Sequence, residues 1–342
     1  MSVSQDKRFR DEWESAVAEA YADELGLAEI TPRTRFGGDA AAADRVAARV
    51  SKATNTRLAG EVVLERDSVE AVAAHLRERA PKDRCVQLPA GFDPTSPALF
   101  YFHSASGNAL AIRTLRTVLP AQPISVRGAG LEGEREIPTT IAGFADVYME
   151  ELRRLPECEP YLLCGFSTGG TIAFELACRL VAEGRKVGLV ALFDSQPPNT
   201  VPLEKIASEQ VEIAGRLREL LRRIGVDVPD TITVNDDGVV DSLREARVLA
   251  ETLGAETLQR QLVMFARSVR ADRFYRPGYY DGELHYFNAY VDGDLISHWN
   301  PHARKVHRHG IDADHQEYSI FGNADFRTIF TDVVREAIES LP

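Results

Sequence analysis

The stretch "YLLCGFSTGGTIAFELACRL", Tyr161 to Leu180, constrains this chain more than any other. An apolar run leads into it, and an amphipathic pattern with helical spacing leads out. Between them stands G-x-S-x-G, formed by Gly165, Ser167 and Gly169, with Gly170 added. A chain that passes from strand to helix this abruptly must turn sharply. Glycines on either side let the two backbones pass without Cβ collisions. The serine at the apex is predicted to be strained, with its Oγ at a helix N-terminus that favours developing negative charge. The pentapeptide alone also fits an ordinary turn with an incidental serine. The strand before it and the helix after it favour a nucleophile.

The same alternation extends from Pro97 to the C-terminus. "ALFYFH", "PISVRG", "YLLCG", "KVGLVALFD", "GELHYFNA" and "ARKVHRHG" read as strands. "SGNALAIRTLRTVL", "TIAGFADVYMEELRRL", "GGTIAFELACRLVAEG" and "ADFRTIFTDVVREAIESL" read as helices. Apolar strands alternating with helices predict an α/β fold whose parallel sheet is covered on both faces. Residues from about 200 to 273 interrupt the alternation with a mostly helical segment, a candidate lid.

A serine nucleophile needs a base. The chain has eight histidines. In the order Ser…Asp…His the base follows the last strand, which selects His315 in "GIDADHQEYSIFG", with His309 next. His103, His285 and the remaining histidines read as satisfied or surface groups. The acid that orients the imidazole has two candidate places: Asp194 after "KVGLVALF", or Asp292 and Asp294 after "GELHYFNAY". The residues alone leave these open. One oxyanion donor is expected from the N–H of Thr168, after the nucleophile. The other is expected from "HSASGN", at Ala105 or Ser106, where Gly107 permits close approach.

The region before Pro97 has a different character. Trp13, Val17, Ala20, Tyr21 and Leu25 recur at helical steps over 9–27. A second helix is predicted over 40–54. A third starts near Ser68, with Asp67 as cap and Glu70 completing a capping box. Together they predict a small bundle over 1–80. "PKDRCVQLPAGFDPTSP", with four prolines, reads as a linker over 81–97, followed by the large domain over 98–342.

Composition excludes some functions. Lys and Arg total 40 against 52 Asp and Glu, a net charge of −12. That balance disfavours nucleic acid and anionic membrane surfaces. The N-terminus lacks the apolar core of a signal peptide, and no run reaches the about 18 apolar residues of a membrane span. Cys85, Cys158, Cys164 and Cys178 show no C-x-x-C spacing, so reduced thiols and a cytoplasmic location are expected, and no metal site.

The large region resembles the type I thioesterase domain that ends nonribosomal peptide and polyketide synthetase lines, an α/β-hydrolase with a helical lid insertion. "LFYFHSASGNALAIRTL", the Ser167 stretch, "LVALFDSQPP", "RFYRPGYYDGELHYFNA" and "DADHQEYSIFG" carry the likeness. The resemblance implies that the acid is Asp194, that Ala105 is the second oxyanion donor, and that 200–273 is a mobile lid over an acyl channel. "FGGDAAAADRVAARV", Phe36 to Val50, resembles a peptidyl carrier domain in turn. That module carries Gly-Gly-Asp-Ser, whose serine receives a 4′-phosphopantetheine arm. Gly37, Gly38 and Asp39 match. Ala40 does not, and without a hydroxyl no arm can attach. Either the serine was replaced in a working carrier, or the carrier has decayed and substrate comes from elsewhere. The resemblance implies release of an acyl or peptidyl chain from a carrier protein's thioester. The alternatives are a stand-alone editing thioesterase or esterase, and a degenerate carrier acting as a docking module.

Overall fold

In the computed structural model of the chain, the described residues are 12–54, 57–79, 84–89, 92–93, 95–155, 158–195, 201–229, 232–236, 238–246, 254–289 and 298–340. The chain forms two compact units, Met1–Lys82 with Leu88–Phe92, and Asp83–Gln87 with Asp93–Pro342.

The first unit is helical: α1 (Glu12–Leu25), α2 (Ala40–Thr54), α3 (Gly60–Arg66) and α4 (Val69–Arg79). Val17, Tyr21, Phe36, Val46, Val63 and Leu76 are in its buried core, with the Tyr21 and Phe36 rings 5.2 Å apart. Asp39 caps α2, its Oδ1 accepting the Ala42 N–H at 2.8 Å. The cap of α4 differs from the expectation. Ser68 Oγ accepts the Ala71 N–H at 3.3 Å, while Asp67 stands outside the helix at φ 62°. The Asp67 carbonyl accepts the Phe36 N–H at 2.7 Å and the Tyr21 O–H at 3.0 Å, so its backbone serves as a brace. The short α3 was absent from the sequence pattern. It meets α2 at Gly60, where a Cβ would lie 2.1 Å from Asp44 Oδ1.

The second unit is an α/β domain. Its strands are β1 (Val86–Gln87), β2 (Ala98–Phe102), β3 (Gln122–Val126), β4 (Tyr161–Phe166), β5 (Val187–Phe193), β6 (Tyr280–Asn288) and β7 (Ala303–Gly310). They form one sheet in the order β1-β3-β2-β4-β5-β6-β7, parallel except for β1. Every residue of β2 and β4 is buried, as a sheet covered on both faces requires. The helices are α5 (Ile141–Arg153), α6 (Thr168–Ala182), α7 (Glu209–Arg223), α8 (Val239–Glu245), α9 (Ala255–Phe274), α10 (Glu317–Gly322) and α11 (Ala324–Glu339). Phe326, Phe330 and Val334 of α11 pack with Phe193 and Phe287 of the sheet.

Three features depart from the sequence reading. Part of the expected linker is the edge strand β1, held by the buried Glu151 carboxylate, which accepts the N–H groups of Cys85 at 2.8 Å and Val86 at 2.8 Å. The expected helix over 106–119 is reduced to a 3-10 turn, Ala111–Leu115. Its first residues instead make local turns, with Leu110 N–H donating to Asn108 Oδ1 at 2.9 Å and Gly107 at φ +81°. The candidate lid has a core of its own, including Leu217, Leu221, Leu243, Leu258 and Leu262. Its helix α9 is also anchored to the body: Arg267 donates to the Ile137 carbonyl at 2.8 Å, and Met264 fills the space left by Gly107 and Gly128.

Candidate active site

Ser167 stands between the end of β4 and the start of α6. Its backbone is strained, at φ 54° and ψ −124°. The glycines around it are sterically required. A Cβ on Gly165 would lie 2.2 Å from the Gly169 carbonyl carbon, and one on Gly169 would lie 2.2 Å from the Phe102 carbonyl oxygen. A Cβ on Gly170 would lie 1.9 Å from Ser195 Oγ. The elbow is therefore wedged against β2 and β5 as well as against its own helix. Ser167 N–H donates to the Phe193 carbonyl at 2.9 Å, which fixes the apex on the carboxyl edge of the sheet.

Phe166 pairs with Phe193 in the β4–β5 register, so Asp194 follows β5 on the same edge. Asp194 is buried and is also strained, at φ 47°. Only Asp67 joins Ser167 and Asp194 among described non-glycine residues with positive φ, and strain of this kind concentrates at functional sites. Asp194 Oδ1 accepts the Ala289 N–H at 3.1 Å. Its Oδ2 accepts the Nδ1–H of His315 at 2.5 Å. That bond fixes the tautomer and leaves Nε2 as the basic nitrogen. The loop after β7 carries His315 back across the edge, where its ring packs against Phe166 at a 35° tilt with centroids 4.9 Å apart. The carboxylate is 3% exposed and the imidazole 41%, so the carboxylate is shielded while the imidazole stays reachable.

The structure thus brings Ser167, Asp194 and His315 to one edge. His309 is not part of this group. It lies on β7, with Nε2 3.1 Å from His285 Nδ1, and burial lowers its pKa. Asp292 and Asp294 lie outside the described residues. Thr168 opens α6 and is buried; first-turn N–H groups have no acceptor within their own helix. Ala105 is buried in the loop after β2. Ala40 is exposed at the start of α2 in the other unit, and it offers no oxygen for a phosphodiester. The residues present at that turn do not fit a covalent phosphopantetheine arm.

Sequence reasoning missed several neighbours. Phe166, the second residue of "GFSTG", had no role in the sequence reading, yet its ring packs against His315. Glu317 accepts the Tyr101 O–H, and burial pushes its carboxyl up to about 7. Asp272 of α9 is raised to about 6 by burial, with the neighbouring Arg273 guanidinium pulling the other way. Only the proximity of Glu317 to His315 in "DHQE" was visible in the chain.

A strained serine after one strand, an acid after the next and a histidine after the last define an α/β-hydrolase. The chain belongs to the thioesterase domain family, whose model matches residues 97–322. It is 29% identical over 214 residues to a probable non-canonical nonribosomal peptide synthetase, CymA, of Salinispora arenicola, covering 60% of this chain and 3% of the relative. It is 22% identical over 321 residues to a dimodular nonribosomal peptide synthase of Bacillus subtilis, covering 89% of this chain and 13% of the relative. The chain therefore spans a small part of these curated relatives. A four-domain nonribosomal peptide synthetase structure matches the whole chain with TM-score 0.77 at 18% identity, over 27% of its own length. The NocB thioesterase domain, solved with a fluorophosphonate nocardicin G analogue, matches 72% of this chain and 96% of its own, with TM-score 0.51 and 21% identity. These likenesses show the fold.

Proposed function

We propose that this protein is a serine thioesterase that releases an acyl or peptidyl chain from a phosphopantetheine-bound thioester through an acyl-Ser167 intermediate. The observation that carries the reading is the 2.5 Å Asp194–His315 contact beside a serine held on a strained elbow. His315 Nε2 takes the Ser167 proton as Oγ attacks the thioester carbon. The Ala105 and Thr168 N–H groups receive the developing oxyanion. The C–S bond breaks, and the thiol leaves with the proton from His315. Water, or an amine or hydroxyl of the substrate, then attacks the ester with His315 as base, giving hydrolysis or cyclisation.

The substrate's arm belongs to a separate carrier protein in this reading, because Ala40 cannot hold one. The helical unit then acts as a docking module. The test is incubation with a small acyl thioester, followed by intact mass measurement. The expected result is one acyl mass gain on the wild type and none on Ser167→Ala. Acylation of Ser167→Ala overturns the assignment.

A second reading is supported by Ala40 alone: a stand-alone editing thioesterase that clears misprimed arms. Turnover of long peptidyl thioesters against short acetyl ones separates the two, since an editing enzyme prefers the short.

A further inference from the structure

His103 is fully buried at the end of β2, outside the Ser167 group. Its Nδ1 lies 2.7 Å from the Ser104 carbonyl oxygen, and its Nε2 lies 2.6 Å from the Tyr148 hydroxyl. A carbonyl can only accept, so Nδ1 carries the hydrogen. Nε2 is then an acceptor, and the Tyr148 O–H donates to it. Tyr148 oxygen receives the Ala129 N–H at 3.2 Å. Burial lowers the imidazole pKa to about 4, which keeps the ring neutral and this tautomer in place at neutral pH. The chain of hydrogen bonds runs in one direction, from Ala129 through Tyr148 and His103 to Ser104, and each bond polarises the next. The Ser104 carbonyl also accepts the Gly107 N–H at 2.9 Å, so two donors hold it. Phe144 closes one side of the ring at 5.4 Å.

The other edge of the Ser104–Ala105 peptide is the Ala105 N–H. A peptide is planar, and in the trans form its C=O and N–H point in opposite directions. Fixing the carbonyl therefore fixes the direction of the N–H. We propose that His103 is a positioning residue that aims the Ala105 N–H at the substrate oxyanion through the Ser104 carbonyl. This rests on the thioesterase reading above, in which Ala105 is an oxyanion donor. It gives a role to a histidine that the sequence presented as a satisfied core group.

The experiment compares wild type, His103→Gln, His103→Asn and Tyr148→Phe on an acyl thioester and on the matching dithioester, with thermal unfolding measured alongside. Sulfur in place of the carbonyl oxygen is a weak acceptor, so the oxygen-to-sulfur rate ratio reports on the oxyanion donors. His103→Gln moves the amide away from Ser104, and kcat is expected to fall about ten- to a hundredfold with KM unchanged. Its oxygen-to-sulfur ratio should shrink. His103→Asn keeps an N–H at the position of Nδ1 and should recover most of both. Tyr148→Phe should show the same changes at smaller amplitude, and it carries the test if His103→Gln does not fold. A wild-type ratio in the folded variants overturns the inference. A wild-type protein that is not acylated at Ser167 overturns the thioesterase reading instead.

Discussion

Two helix starts in this chain look alike in sequence and differ in physics. At α2, Gly37, Gly38 and Asp39 lead into Ala40. At α6, Gly165 and Phe166 lead into Ser167, with Gly169 and Gly170 beyond. The first turn has no positive-φ residue. Asp39 caps it through its own side chain, and a Cβ on Gly37 would meet nothing within 4 Å, whereas one on Gly38 would lie 2.6 Å from the Phe36 ring. The second is strained at its apex, and each of its three glycines is packed against neighbouring atoms. The first turn can only present what is attached to it. The second holds its side chain in place by means of three strands. Backbone strain at the second turn and its absence at the first separate the two.

The strongest way to break the comparison is at Asp194, the acid proposed to serve the second turn. Asp194→Asn keeps the shape but admits the wrong imidazole tautomer, and kcat on an acyl thioester is expected to fall about 10⁴-fold. Normal turnover in that variant would remove His315–Asp194 from the chemistry. Next comes a pair of glycine substitutions. Gly169→Ala drives a methyl into the Phe102 carbonyl and is expected to cost more than about 3 kcal/mol, while Gly37→Ala should stay within about 0.5 kcal/mol, both read by urea unfolding. Equal effects would mean that the two turns are mechanically equivalent.

A pH series sharpens the contrast. Burial raises Glu317 from its ordinary value of 4.5 to about 7 in the fold. Between these values the folded chain keeps a proton that the unfolded chain releases, so this group's stabilisation is full below 4.5 and lost as pH rises through about 7. Glu317→Gln cannot titrate. The wild type should therefore lose on the order of 1–3 kcal/mol relative to the variant across that window, by denaturant unfolding at several pH values. A difference that does not change with pH would sink the assignment. Smaller still, Asp39→Ala should cost about 1 kcal/mol, the usual loss of an N-cap. Last, Ala40→Ser should leave the unfolding midpoint unchanged, yet gain mass when incubated with coenzyme A and a phosphopantetheinyl transferase. No mass gain would mean that the α2 turn is not a carrier turn.

The fold was legible where a feature is local and repeated. Ser167 stood out because its glycines lie between an apolar strand and an amphipathic helix. His315 followed from chain order. Asp194 needed the family resemblance, because geometry on the sheet edge left Asp292 and Asp294 equally placed. What stayed hidden depended on distant partners. Strand β1 exists because Glu151 captures its N–H groups from across the sequence. The helix expected over 106–119 was lost to the turns of Gly107 and Asn108, which compete with helix for the same backbone groups. Ser68 replaced Asp67 as a cap because the Asp67 backbone was already engaged by Phe36 and Tyr21.

The Asp39 cap does not depend on the side chain that follows it, since its Oδ1 reaches past Ala40 to Ala42. A serine at position 40 is therefore expected to leave the fold intact. Its effect would be confined to what the turn can carry. Codons 165, 169 and 170 have no such freedom.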